Sequence, residues 1–181
     1  MIEEYVQLNR AIPQDNQSEL SQGVQPQVFV KAVNLLDTQG APCNEFGSGT
    51  PAVLRIWLEA TSHVPELVVQ VQIYSLGTAG TDNGLRVHGT NSARHALSLA
   101  MLPGVTYVEV AYQALNLVPG SYYFRVGILP YREANQYYDL LHGVCPFEVH
   151  GPGELGSGLA YLPHQWHKAD NDLRPEGNDL I

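Results

Sequence analysis

From Val28 onward the sequence is a succession of strand-length apolar runs, rich in Val, Ile, Leu and Tyr and broken by Gly, Pro, Asn and Asp. Branched and aromatic side chains favour strands and the breakers favour turns, so the pattern leaves a sheet protein as the fold class. The runs read as strands are Val28–Leu36, Ala52–Ala60, Glu66–Tyr74, Leu85–His88, Thr106–Tyr112, Ser121–Leu129, Val144–His150 and Leu159–Leu162. About eight strands and almost no helix predict an all-β, immunoglobulin-like antiparallel sandwich.

Alternation assigns the faces. Leu54, Ile56 and Leu58 share one phase and should line the core, which turns Arg55, Trp57 and Glu59 outward. In the next strand Leu67, Val69, Val71 and Ile73 point in, and Val68, Gln70, Gln72 and Tyr74 form a wet, planar second face. After the Pro119-Gly120 turn, Tyr122, Phe124, Val126 and Ile128 make the apolar phase, leaving Tyr123 and Arg125 outside. A tryptophan buried in the sandwich is the bland alternative for Trp57, but it requires a bulge or a covering chain.

Composition excludes several function classes. Nine Lys plus Arg against eighteen Asp plus Glu give a net charge of −9, the wrong sign for nucleic acid. The longest apolar runs fall far short of the roughly 20 residues of a membrane helix. No leader of the secretory kind opens the sequence, so a cytoplasmic setting is expected, with Cys43 and Cys145 as free thiols.

Catalytic signatures are missing. There is no Gly-rich loop ending in Lys-Ser or Lys-Thr to cradle phosphate, and Ser48 and Ser157 sit in glycine loops that do not fit a nucleophile elbow. His164 and His167 offer two imidazoles where structural zinc takes roughly four ligands. Glu59, Glu109 and Glu148 read as solvated strand residues rather than a glycosidase pair. The expectation is a chain that is not an enzyme, has no metal and needs no cofactor.

The distinctive feature is a set of outward rings beside planar polar groups: Trp57 with Arg55, Tyr74 with Gln70 and Gln72, and Tyr123 with Arg125. Rings stack on the apolar face of a sugar, while amides and guanidinium groups match hydroxyl geometry. These seven residues are the candidate carbohydrate-binding set. An ordinary solvent-facing sheet would look the same in sequence.

Taken together, the segments from Val33 to Gly40, from Gly84 to Ser92 and from Leu115 to Tyr122 resemble the carbohydrate-binding domains fused behind the nucleotide-binding domain of bacterial O-antigen ABC exporters, the Wzt type. The resemblance spans about Val28 to Trp166, with Tyr138-Asp139, the run Cys145 to Val149 and a closing segment from Gly158 following in the family's order. It implies an Ig-like sandwich that captures the exported O-antigen polysaccharide, often at its non-reducing end, without making or breaking bonds. It implies attachment to the inner membrane only through a transporter subunit. It also implies a homodimer, which members of the family can form by exchanging a terminal strand, with the segment Gly151 to Gly158 as hinge.

On this reading residues 1–27 are a linker from an upstream nucleotide-binding domain, 28–166 the carbohydrate-binding sandwich and 167–181 an acidic tail. Two other function classes fit the composition: an adhesion or assembly sandwich whose outward rings meet protein, and a glycan-modifying enzyme.

Overall fold

The computed structural model describes residues 27–76, 84–97, 99–131, 136–151, 158 and 160. Its strands are β1 (Val28–Leu36), β2 (Glu45–Gly47), β3 (Ala52–Ala60), β4 (Val64–Ser75), β5 (Arg86–Asn91), β6 (Leu99–Met101), β7 (Gly104–Tyr112), β8 (Gly120–Pro130) and β9 (Asp139–His150). Three form a sheet in the order β1-β3-β7. The others form a six-stranded sheet, β2-β9-β8-β4-β5, with β6 also on β4. The two sheets make the expected all-β sandwich, antiparallel throughout except where β2 runs parallel to β9.

β1 and β3 carry the expected bounds. β2 and β6 have three residues each, too few to display alternation, and the sequence did not reveal them. β9 begins at Asp139 rather than Val144, because Gly143 (φ 70) and Cys145 (φ 51) interrupt its alternation with left-handed backbone. Of the run Leu159–Leu162 only Ala160 is described, bridged to Leu117. The linker, except Gln27, and the acidic tail lie outside the described residues, as do His164, His167 and most of the proposed hinge.

The core follows the predicted phases. Leu54, Ile56 and Leu58 of β3, Leu67, Val69, Val71 and Ile73 of β4, and Tyr122, Phe124, Val126 and Ile128 of β8 are all buried. Phe147 is its aromatic centre, stacked on Phe124 and Tyr122 at 5.2 and 5.6 Å between centroids and meeting Phe46 edge-on. The Tyr122 hydroxyl donates to the Val118 carbonyl at 2.8 Å, a tyrosine corner that closes the Pro119-Gly120 turn and fixes the phase of β8.

One edge is stapled between sheets. A bulge in β1 between Val30 and Ala32 leaves the Val30 N–H free of the ladder, and it donates to Asp139 Oδ2 at 2.8 Å. Nearby, Cys145 Sγ donates to the Val33 carbonyl at 3.2 Å.

The expectation of a wet second face on β4 is corrected by the structure. Val68 and Gln72 are buried, and Gln70 and Tyr74 are half-buried. Tyr123 does lie on that outer face, but it too is buried. The reason is a layer of side chains laid over the sheet, which alternation within one strand does not register.

Candidate functional site

Gly127 of β8 builds that layer. A Cβ here would sit 2.6 Å from the Tyr137 ring and 3.3 Å from Leu140, so only glycine lets the ring lie flat on the sheet. From that position Tyr137 donates its hydroxyl to Gln70 Oε1 at 3.1 Å. Gln70 is the direct cross-strand partner of Gly127.

Farther along the same strand pair the register places Gln72 opposite Arg125 and Tyr74 opposite Tyr123. Tyr74 and Tyr123 stack with centroids 5.5 Å apart and planes 8° from parallel. His142 of β9 leans on both, at 5.5 Å from Tyr74 and 5.4 Å from Tyr123. The Tyr74 hydroxyl donates to Gln72 Oε1 at 3.0 Å, which fixes the amide's orientation.

Burial raises the Tyr123 hydroxyl's pKa above the usual tyrosine value. A hydrogen bond from the Gly84 backbone opposes that shift, the neighbouring Tyr74 adds to it, and Arg125 also opposes it. Tyr123 is therefore a neutral, fixed floor. Arg86 of β5 completes the face opposite Tyr74, and a Cβ on Gly89 would touch both Gln72 and the Arg86 stem. The exposed groups at this place are His142 and Arg86, with Tyr74 half-exposed.

The remaining two candidates lie elsewhere. Arg55 and Trp57 are on β3, on the outer face of the three-stranded sheet and so on the opposite side of the sandwich. Trp57 points outward, as its phase predicts, and pairs with Tyr107 at 5.0 Å. Arg55 covers the Tyr107 ring at 4.9 Å and holds Glu109 through Nε and Nη2, both at 2.7 Å. Beside them Lys31 pairs with Glu59 at 2.8 Å.

The structure thus brings Gln70, Gln72, Tyr74, Tyr123 and Arg125 together and separates them from Arg55 and Trp57. Sequence reasoning missed Arg86, Tyr137 and His142. His142 precedes the left-handed Gly143, which hides its phase, and Tyr137 precedes β9 altogether. The available clue was Gly127, a glycine inside an otherwise bulky strand.

Chemically, this face gathers ring surface, hydrogen-bonded amides, the guanidinium groups of Arg86 and Arg125 and the His142 imidazole. Groups of these kinds can stack on the apolar face of a flat ligand and hydrogen-bond to its hydroxyls. The geometry contains no close pair of carboxylates among the described residues of the face.

Comparison with known proteins gives the family and the fold. Residues 25–162 match the family described as the Wzt C-terminal domain. The crystal structure of the C-terminal domain of wzt superposes with a TM-score of 0.68 at 13% identity, covering 80% of this chain and 86% of that one, which shows the shared fold. A Pseudomonas fluorescens alkylpurine DNA glycosylase, AlkC, bound to DNA containing an abasic site analogue aligns at 0.44 and 14% identity, over 69% of this chain and 31% of that one. A CARDB domain from Pyrococcus furiosus in complex with di-metal ions aligns at 0.39 and 13%, over 77% and 100%. Neither of these two bears on function. No curated protein matches the sequence.

Proposed function

The chain belongs to the Wzt C-terminal domain family, and from that premise we propose that it captures a polysaccharide, without cleaving it, on the outer face of the six-stranded sheet. The observation that carries this reading is the Tyr74–Tyr123 stack capped by His142, with Gln70, Gln72, Arg86 and Arg125 around it. Tyr74, backed by the buried Tyr123 and flanked by the exposed His142, takes the apolar face of one sugar residue. The exposed Arg86 bonds its hydroxyls, while the buried Gln72 holds the Tyr74 hydroxyl in place beneath it.

The ligand is the O-antigen polysaccharide, engaged near its non-reducing end, and capture couples that chain to an ABC exporter whose nucleotide-binding domain lies upstream. Among the described residues no helix is long and apolar enough to cross a membrane. Membrane attachment then comes through the transporter, on the cytoplasmic side.

An open surface without a deep pocket supports affinities of roughly micromolar to millimolar, about −8 to −4 kcal/mol, which a dimer raises through avidity. Calorimetric titration with delipidated O-polysaccharide from the same source tests the reading. Saturable binding that Tyr74→Ala weakens by about tenfold or more supports it, a loss of about 1.4 kcal/mol. Binding indifferent to both Tyr74→Ala and Arg86→Ala would move the site elsewhere.

A further inference from the structure

We propose that the ring of Tyr137 is a second sugar subsite, so that the ligand is a stretch of linked sugars lying along β4 and β8 and extending beyond the single residue on Tyr74. The inference rests on the polysaccharide reading above and adds to it the length of chain that the face takes.

Tyr137 is fixed at three points. One residue on, the Tyr138 N–H donates to the Ile128 carbonyl at 2.7 Å, which ties this backbone to β8. The ring rests against Gly127, where a Cβ would sit 2.6 Å from it, and its hydroxyl donates to Gln70 Oε1 at 3.1 Å. Yet Tyr137 is only half-buried. A ring already pinned from below has little freedom left to lose when a ligand stacks on it from above.

Gly127 argues that this ring does more than cover the sheet. An apolar side chain can shield a sheet over almost any neighbour, whereas a glycine inside β8 gives up packing and stiffness to let one ring come close. That sacrifice sets the ring at one depth and in one place.

The spacing names the ligand. Gln70 faces Gly127 and Tyr74 faces Tyr123 on the same outer face, and four residues of β4 separate the two pairs by about 13 Å along the backbone. Tyr74 leans back toward Gln72, which takes its hydroxyl, so the gap between the rings is shorter than that. It still exceeds a single pyranose and suits a short oligosaccharide laid along the strands. The row between holds the buried Gln72 opposite the half-buried Arg125, so no third ring interrupts the path.

Two stacking places on one rigid sheet act together. Once one sugar rests on Tyr74, a sugar linked to it meets Tyr137 at a high effective concentration. Affinity therefore rises with ligand length until both rings are covered, and the domain favours a polymer over free sugars of the same kind.

The test uses delipidated O-polysaccharide from the same source, partly hydrolysed and sorted by size, with each fraction titrated into the full chain by NMR. The dissociation constant should fall by about three- to tenfold between the disaccharide and fractions that span both rings, the gain expected of one added stack. Tyr137→Ala should weaken the long fractions by that factor and leave the disaccharide within about twofold of wild type. Tyr137→Phe keeps the ring and loses only the Gln70 bond, so it should hold the long fractions within about twofold of wild type. Circular dichroism melts confirm that each variant folds. Equal wild-type affinity for short and long fractions overturns the subsite and leaves capture at Tyr74 standing. So does a Tyr137→Phe variant as weak as Tyr137→Ala, which would make Tyr137 a positioning residue, and so does a Tyr137→Ala variant that weakens every fraction alike. A wild-type chain that binds no fraction overturns capture itself, and the subsite with it.

Discussion

Tyr74 and Tyr123 face each other directly across β4 and β8, with ring centroids 5.5 Å apart and planes 8° from parallel. The pairing converts two ordinary strand residues into a platform, because each ring removes the other's freedom to rotate.

The first prediction separates the two aromatic faces. Tyr74→Ala is expected to weaken polysaccharide binding by about tenfold or more, while Trp57→Ala, on the opposite sheet, leaves it within about twofold. Parallel titrations decide this. The reverse pattern would assign the sugar to the Trp57 and Tyr107 face.

Gly127→Ala tests the layer over the sheet. The added methyl forces Tyr137 to swing away, breaking its bond to Gln70. Overpacking and the lost bond should together destabilise the domain by about 1–3 kcal/mol, read from urea unfolding. Unchanged stability together with unchanged binding would show that Tyr137 does not organise this face.

Tyr122→Phe removes only the hydroxyl that reaches the Val118 carbonyl. An acceptor left without its bond costs about 1–3 kcal/mol, equivalent to a fall in Tm of roughly 2–4 °C per kcal/mol for a domain of this size. Calorimetry checks the shift, and a Tm equal to wild type would mean that the corner contributes nothing.

Cys145 gives a pH signature. Burial pushes its thiol up to about 11 from 9.0, against a smaller opposing contribution from the Leu35 backbone. The unfolded chain therefore releases this proton first as pH rises. Stability is fully present below pH 9 and declines between 9 and 11, by at most roughly 1.4 kcal/mol per unit. Other groups titrate in that window, so the readout is the difference between wild type and Cys145→Ala. The variant should show the shallower decline, and identical slopes would refute the assignment.

Much of this arrangement was legible in one dimension. The interior phases of β3, β4 and β8 follow from period-two alternation, since a strand with one buried face admits a single register. The outward direction of Trp57 followed from the same count, against the habit of sandwich tryptophans to be buried. Alternation names a face without showing what lies on it. Gln72 and Tyr123 were assigned to the outer face correctly and to water incorrectly, because side chains from distant segments, such as His142 against Tyr123, cover it.

The amino-acid sequence by itself determined the bounds of β1 and β3 and the apolar phases of β3, β4 and β8, because those properties are local and repeat every two residues. Only the tertiary structure decided that Gln70, Gln72, Tyr74, Tyr123 and Arg125 share a surface while Arg55 and Trp57 occupy the opposite one. Which strand enters which sheet depends on pairings between distant segments, such as β4 with β8, and on the left-handed turns of β9 that bring His142 over them. Such long-range pairing is settled by packing and hydrogen bonding across the whole sandwich, a balance that no single window of residues contains.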